Sequence, residues 1–191
     1  MAAHRNDSTA VLLVVDVQVG VMRRLWNSMQ TIGTVSQAVE RARLQGIPIV
    51  WILHTAEHLP KGSDEWQLVP ELVPAEGEPI LDKVYNSAFA ETELESELKR
   101  LGISHILLCG AATNWCIRAT AYGALDRGYD LTLIADAHTT ADMEDEGGSS
   151  IPAKGIIEEL NIVIEWVSYP DCRSTAAPLD KVDALNSESP G

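Results

Sequence analysis

One cysteine, one aspartate and one lysine stand where chemistry is possible. Cys116 lies in the stretch HILLCGAATNWCIRATAYGAL, which reads as strand, small-residue turn and helix, with the thiol in the first helical turn. A helix N-terminus carries positive partial charge and free N–H groups, which favour a thiolate and lower its pKa. The same N–H groups stabilise an oxyanion on a substrate carbonyl. Asp16 ends the apolar run VLLVVD, where its carboxylate is partly desolvated, and Lys83 lies near the end of the weaker run PILDKV. Taken singly, each residue has an ordinary reading. Asp16 reads as a turn-capping strand end, Lys83 as surface charge and Cys116 as a small buried hydrophobe. Taken together, a nucleophile, a base and an orienting cation make a coherent acyl-transfer site.

Far apart in sequence, these three residues meet only if the fold brings them together. Apolar runs at 11–16, 48–53, 79–84, 106–109, 131–135 and 162–167 read as strands buried on both faces. Helical patterns fall between them, at about 29–44, from Thr92 to Gly102, at 113–127 and at 150–160. Thr92 and Glu95 have the spacing of a capping box, and Gly46, Gly102 and Gly128 are stop signals. Strands alternating with helices predict an α/β fold: a doubly wound parallel sheet with helices on both faces. Right-handed crossovers place every strand's carboxyl end on one edge, where ligands bind. Asp16, Lys83 and Cys116 then converge on that edge. The loops 55–78 and 138–149 supply pocket walls or subunit contacts. The 191 residues read as one domain over 1–191, with loose ends at about 1–9 and 174–191.

Composition narrows the partners. The formal net charge is −14, from 28 acidic and 14 basic residues. Such a surface repels phosphate backbones and anionic lipid, so nucleic acid and membrane are poor partners. No run reaches the ~20 apolar residues of a membrane span. The short polar N-terminus lacks the apolar core of a signal peptide. Three cysteines are an odd count, which speaks against a disulfide framework and for a cytoplasmic setting.

The segments VVDVQ, KVYNSAF and GAATNWCIRATAYGALDRGYD resemble the isochorismatase-like cysteine hydrolases, in the right order over roughly residues 10–170. The resemblance implies a six-stranded parallel sheet and an Asp–Lys–Cys triad at Asp16, Lys83 and Cys116. It also implies a cis peptide before Ala112, with the N–H groups of Ala112 and Cys116 forming an oxyanion hole. The implied activity is cleavage of an amide-type C–N bond in a small molecule through a thioester, with no cofactor. The implied assembly is a homodimer or larger homo-oligomer. Members that hydrolyse the vinyl ether of isochorismate typically lack the cysteine, so Cys116 argues against that reaction. Members that act on nicotinamide hold a metal on Asp-x-His. In WILHTAEHLPKGSDEW, Ile52 precedes His54 by two residues and Ala56 precedes His58 by two, so the motif is missing and no metal is expected. Carbamoyl, ureido and maleamate-like amides and a streptothricin-type lactam stay open as substrates. IPAKGIIEELNIVIEWV looks most like members near the streptothricin branch.

Position suggests Gln18, Tyr85, Asn86, Thr113 and Trp115 as substrate contacts, with Asn114 and His138 facing the same edge. His54 reads as a pocket or strand-end residue. Arg118 reads equally as a carboxylate ligand or a structural ion pair, and Cys109 as an inert core residue. No function is read for Cys172. Two other classes compete with an enzyme. One is a binding protein that keeps the fold without the chemistry. The other is a redox protein, which needs a resolving cysteine near Cys116.

Overall fold

The computed structural model of the chain describes residues 9–186. Its centre is a six-stranded sheet built from β1 (Ala10–Val15), β2 (Ile49–His54), β3 (Ile80–Lys83), β4 (His105–Ala111), β5 (Asp130–Thr139) and a late strand at Ser174–Ala177. Every pairing within it is parallel. The lateral order is β3-β2-β1-β4-β5 with the late strand outermost. The winding therefore reverses between β1 and β4, and a crevice opens at the carboxyl ends of those two strands.

The runs forming β1, β2, β4 and β5 are strands because both faces of the sheet are covered there, whereas the run 79–84 forms the edge strand β3, with Ile80 and Asp82 exposed rather than buried. Val11, Leu13 and Val15 point to one core and Leu12 and Val14 to the other, all fully buried. The first core is closed by α3 (Leu94–Arg100), α4 (Arg118–Leu125) and α5 (Ala153–Trp166). The second is closed by α2 (Ser28–Leu44), which buries Ile32, Val35, Ala38, Val39 and Ala42 at the expected three- and four-residue steps. A four-residue helix, α1 (Val19–Met22), precedes α2.

Two expectations change at the C-terminal end. The run 162–167 is not a strand: α5 continues through it to Trp166. A continuous apolar run does not distinguish a buried strand from a helix. Here Ile156, Ile157, Leu160 and Ile164 share the buried face, while Ile162 is 61% and Trp166 83% exposed. The sixth strand is instead Ser174–Ala177, inside the segment expected to be a loose end. A 3₁₀ turn at Leu179–Lys181 and α6 (Asp183–Asn186) follow it, and Leu179, Val182 and Leu185 are buried against α2's core. Burying each such side chain is worth about 1.5–3 kcal/mol, enough to hold a polar-looking segment in place. Residues 1–8 and 187–191, the rest of the expected loose ends, lie outside the described residues.

The capping box also takes another form. The Thr92 hydroxyl accepts the Leu94 N–H at 3.3 Å. The Glu95 carboxylate turns outward to Lys99 and Arg127. The loop 138–149 is shorter than expected, because β5 runs on to Thr139. A small antiparallel hairpin, β6 (Met143–Glu144) with β7 (Ser150–Ile151), follows. With these two strands counted, the outermost sheet strand Ser174–Ala177 is β8. No helix among the described residues is long and apolar enough to cross a membrane.

Candidate active site

Three neighbouring strands each end on a polar side chain. Asp16 follows β1 directly, His54 closes β2 and Lys83 closes β3, with His54 and Lys83 in register. Asp16 has φ +53°, a left-handed conformation that aspartate tolerates better than most residues, and the chain turns there. Its N–H still bonds to the Ile52 carbonyl at 2.9 Å, which anchors the turn to β2. Across the reversal point, β4 leads through Ala112 into a π-helical turn at Thr113–Ile117 that carries Cys116 and runs on into α4. The Ala111–Ala112 peptide is cis.

Close approach of β4 to β1 needs Gly110. Its φ is +121°, and a Cβ there would lie 2.0 Å from the Val15 carbonyl oxygen. Only glycine fits, and this contact sets the gap between Asp16 and the Cys116 turn.

The three predicted residues meet. Lys83 Nζ donates to Asp16 Oδ2 at 2.7 Å and to Cys116 Sγ at 3.1 Å. It also lies 3.2 Å from His54 Nδ1 and 3.2 Å from the Tyr85 carbonyl oxygen. Asp16 and Lys83 are each 2% exposed and Cys116 7%. The ordinary reading of Lys83 as surface charge therefore fails, and Asp16, though it stands at a turn, pairs its carboxylate with a buried lysine. Asp16 Oδ1 is buried with no hydrogen-bond partner among the described residues, and so is open to a proton.

Electrostatics revise the expected thiolate. Burial, and then the Asp16 carboxylate, push the Cys116 thiol up to about 12, against the Lys83 ammonium. Desolvation outweighs the helix N-terminus, so the resting sulfur holds its proton. Burial also raises the Asp16 carboxyl above its ordinary value, against the pull of Lys83. A raised carboxylate is a stronger base, matched to a reluctant thiol.

His54, expected as a pocket or strand-end residue, is both: it closes β2 and is the fourth member of this cluster. Burial, Lys83 and His58 hold it down to about 4, so the ring is neutral. Nδ1 accepts from Lys83, which leaves the ring proton on Nε2. Oxygen, nitrogen and sulfur atoms of Asp16, His54 and Cys116 lie within 4.8 Å of one another, a metal-type ligand set. The Lys83 ammonium sits among them, so a metal ion would have to displace it. The strand-final position of His54 after a buried run is the same signal as at Asp16. His58 stands exposed in the following loop.

The expected substrate contacts divide. Tyr85, Asn86 and Trp115 are exposed. Gln18 is fully buried, and its amide is engaged by backbone. Nε2 donates to the His54 and Trp66 carbonyls at 3.0 and 2.7 Å, and Oε1 accepts the His54 N–H at 2.8 Å. It thus fixes His54 rather than facing a substrate. Thr113 is also fully buried, with its hydroxyl 2.9 Å from His138 Nδ1. His138 Nε2 lies 2.9 Å from Asn161 Oδ1, and Asn161 Nδ2 donates to the Ala135 carbonyl at 3.1 Å. That last bond fixes the amide, so His138 carries its proton on Nε2 and accepts the Thr113 hydroxyl. The relay ties the Cys116 turn to β5 and α5. Asn114 bonds to Thr140 and Met143. Arg118 pairs with Glu159, the structural alternative. Cys109 is buried with its thiol pushed up by desolvation, and Cys172 bonds to the Leu125 carbonyl.

A parallel sheet with carboxylate, imidazole, ammonium and thiol gathered at its reversal point defines a doubly wound α/β protein with its site at the strand ends. The chain belongs to the isochorismatase family of hydrolases, whose domain matches residues 10–149. It is similar to the ureidoacrylate amidohydrolase RutB of Serratia proteamaculans, with 32% identity over 125 residues. That match covers 64% of this chain and 48% of the relative, so the chain spans about half of that protein's length. The isochorismatase family protein YrdC of Bacillus subtilis is 30% identical over 157 residues, covering 78% of this chain and 84% of that one. Among solved structures, an isochorismatase from Pseudomonas putida KT2440 superimposes with a TM-score of 0.80 at 27% identity, over 89% of this chain and 88% of that one.

Proposed function

We propose that the chain is a cysteine-dependent hydrolase of small amides, with ureido and carbamoyl compounds as the first substrates to test. One observation carries the reading: a single buried ammonium donates to both a carboxylate and a thiol at the reversal point of the sheet. The similarity to a ureidoacrylate amidohydrolase supports the choice of compounds.

As Cys116 sulfur attacks the substrate carbonyl carbon, Asp16 takes the thiol proton. Burial holds the thiol up, so a base beside it is what makes the sulfur nucleophilic. The C–S bond forms while the carbonyl π pair moves to oxygen. The N–H groups of Ala112 and Cys116 hold the resulting oxyanion, and Lys83 balances the charge at Asp16 and sulfur. The C–N bond then breaks, and Asp16 returns its proton to the leaving nitrogen. Water adds to the thioester, Asp16 again accepts the proton, and the C–S bond breaks as sulfur regains it. Tyr85, Asn86 and Trp115 contact the substrate. Gln18 and Thr113 act through His54 and the Cys116 turn. The enzyme works in the cytoplasm as a homo-oligomer.

Ammonia or amine release tests this on a panel of nicotinamide, a carbamoyl amino acid, a ureido acid, maleamate and a streptothricin-type lactam. Lactam opening is read by mass. Turnover of at least one compound that survives chelator and disappears in Cys116→Ala is expected. Near-wild-type turnover in Cys116→Ala contradicts the nucleophile. Silence across the panel with an unreactive Cys116 favours a binding protein.

A further inference from the structure

Among the segments that follow β1 and β2 lies a cavity of about 360 Å³. Gly20, Arg23, Arg24, His58, Leu59 and Glu65 line it. Its volume is within the range of small-molecule sites, about 300–1,000 Å³. Its walls leave the strands that carry the site: α1 follows Asp16, and the 55–65 loop follows His54.

These walls are tightly joined. The Gly20 N–H bonds to the Glu65 carbonyl at 2.8 Å and the Val19 N–H to that of Gln67 at 2.9 Å. A Cβ on Gly20 would meet Leu59 Cδ1 at 2.8 Å and Glu65 Cβ at 3.0 Å, so loop and helix are in direct contact.

The charge of the lining is unusual for this chain. Acids outnumber bases 28 to 14, and most arginines already hold a carboxylate. Arg23 pairs with Glu65 at 2.6 Å inside the cavity. Arg24 has no hydrogen bond or ion pair among the described residues. His58 lines the cavity with Arg24 and lies close enough to His54 to be felt at its ring. Arg24 and His58 line the cavity beyond the strand that ends in His54, and the one carboxylate in the lining is already paired with Arg23. Arginine without a partner at a cavity wall recognises planar oxyanions well.

We infer that this cavity is a subsite for a carboxylate on the substrate, held by Arg24 with His58. The inference rests on the hydrolase reading and narrows it: the substrates are amide or ureido acids, not neutral or cationic amides. Long-range attraction from a net charge of −14 favours cations at a distance, whereas the lining decides what is held.

Protection of Cys116 tests the subsite without turnover. Alkylation by iodoacetamide at mildly alkaline pH is followed by mass in the presence of succinate, glutarate or adipate, or of the matching diamides. At least one dicarboxylate should slow alkylation while its diamide does not. Half-protection should need about tenfold more dicarboxylate in Arg24→Ala, and close to the wild-type amount in Arg24→Lys, which keeps the charge. Arg24 is exposed, so neither change threatens folding. Absence of protection at all three lengths, equal protection by the diamides, or an unaltered Arg24→Ala overturns the subsite. Selective protection alongside a silent amide panel keeps the subsite and counts against the panel's amides as the substrates of the proposed hydrolase.

Discussion

At Asp16 two effects oppose each other, and they can be measured apart. The carboxylate raises the thiol by repelling the thiolate, and in the proposed reaction it also removes the thiol proton. Asp16→Asn removes both. Turnover should fall by about 10²–10⁴, the usual contribution of a positioned base. The pH at which Cys116 alkylates should nevertheless move down, because Lys83 then faces the sulfur without a competing anion. Iodoacetamide kinetics against pH check this; a profile that stays put or moves up contradicts the assigned electrostatics. The sequence led to the opposite expectation for the resting thiol, because the helix N-terminus is visible in it and depth of burial is not.

At the element scale, the site depends on how closely β1 and β4 approach and on what holds the turn after β4. Gly110→Ala should cost about 3 kcal/mol or more, combining backbone strain with a clash against Val15. Urea denaturation reads it, and a loss under 1 kcal/mol would contradict the packing. The His138 relay gives a pH signature. Burial holds this ring down to about 4, so it stays neutral in the fold at mildly acidic pH. Unfolded histidine titrates near 6.5, so between about 6.5 and 4 the unfolded state binds the extra proton. Stability is therefore full above about 6.5 and falls as pH drops toward 4, by on the order of 3 kcal/mol from this residue. His138→Gln should make that part of the curve shallower, with His54 still contributing to it, and an unaltered slope would remove His138 from the account. Much of this scale was legible in the sequence. The run before Asp16 read correctly because it is short and rich in β-branched residues, and the helix over α2 because its three- and four-residue period has one physical meaning; the run before Lys83 is a strand, but an exposed edge one. The run 162–167 had two, and only packing against the sheet chose the helix. β8 carried too little apolar character to be seen. The relay joins Thr113, His138 and Asn161 across three elements, a juxtaposition that no local spacing reveals.

Across the whole molecule, the site is a small, buried cluster centred on an ammonium within a strongly acidic chain. Asp16, Lys83 and Cys116 are nearly sealed, while His54 is half-buried. The central claim is a covalent intermediate on Cys116, and intact-protein mass after acid quench during turnover of a ureido or carbamoyl acid tests it most directly. An adduct with the mass of the acyl fragment should appear, map to the peptide holding Cys116, decay with the turnover rate and be absent from Cys116→Ala. Turnover with no adduct at any quench time, retained in Cys116→Ala, would contradict it.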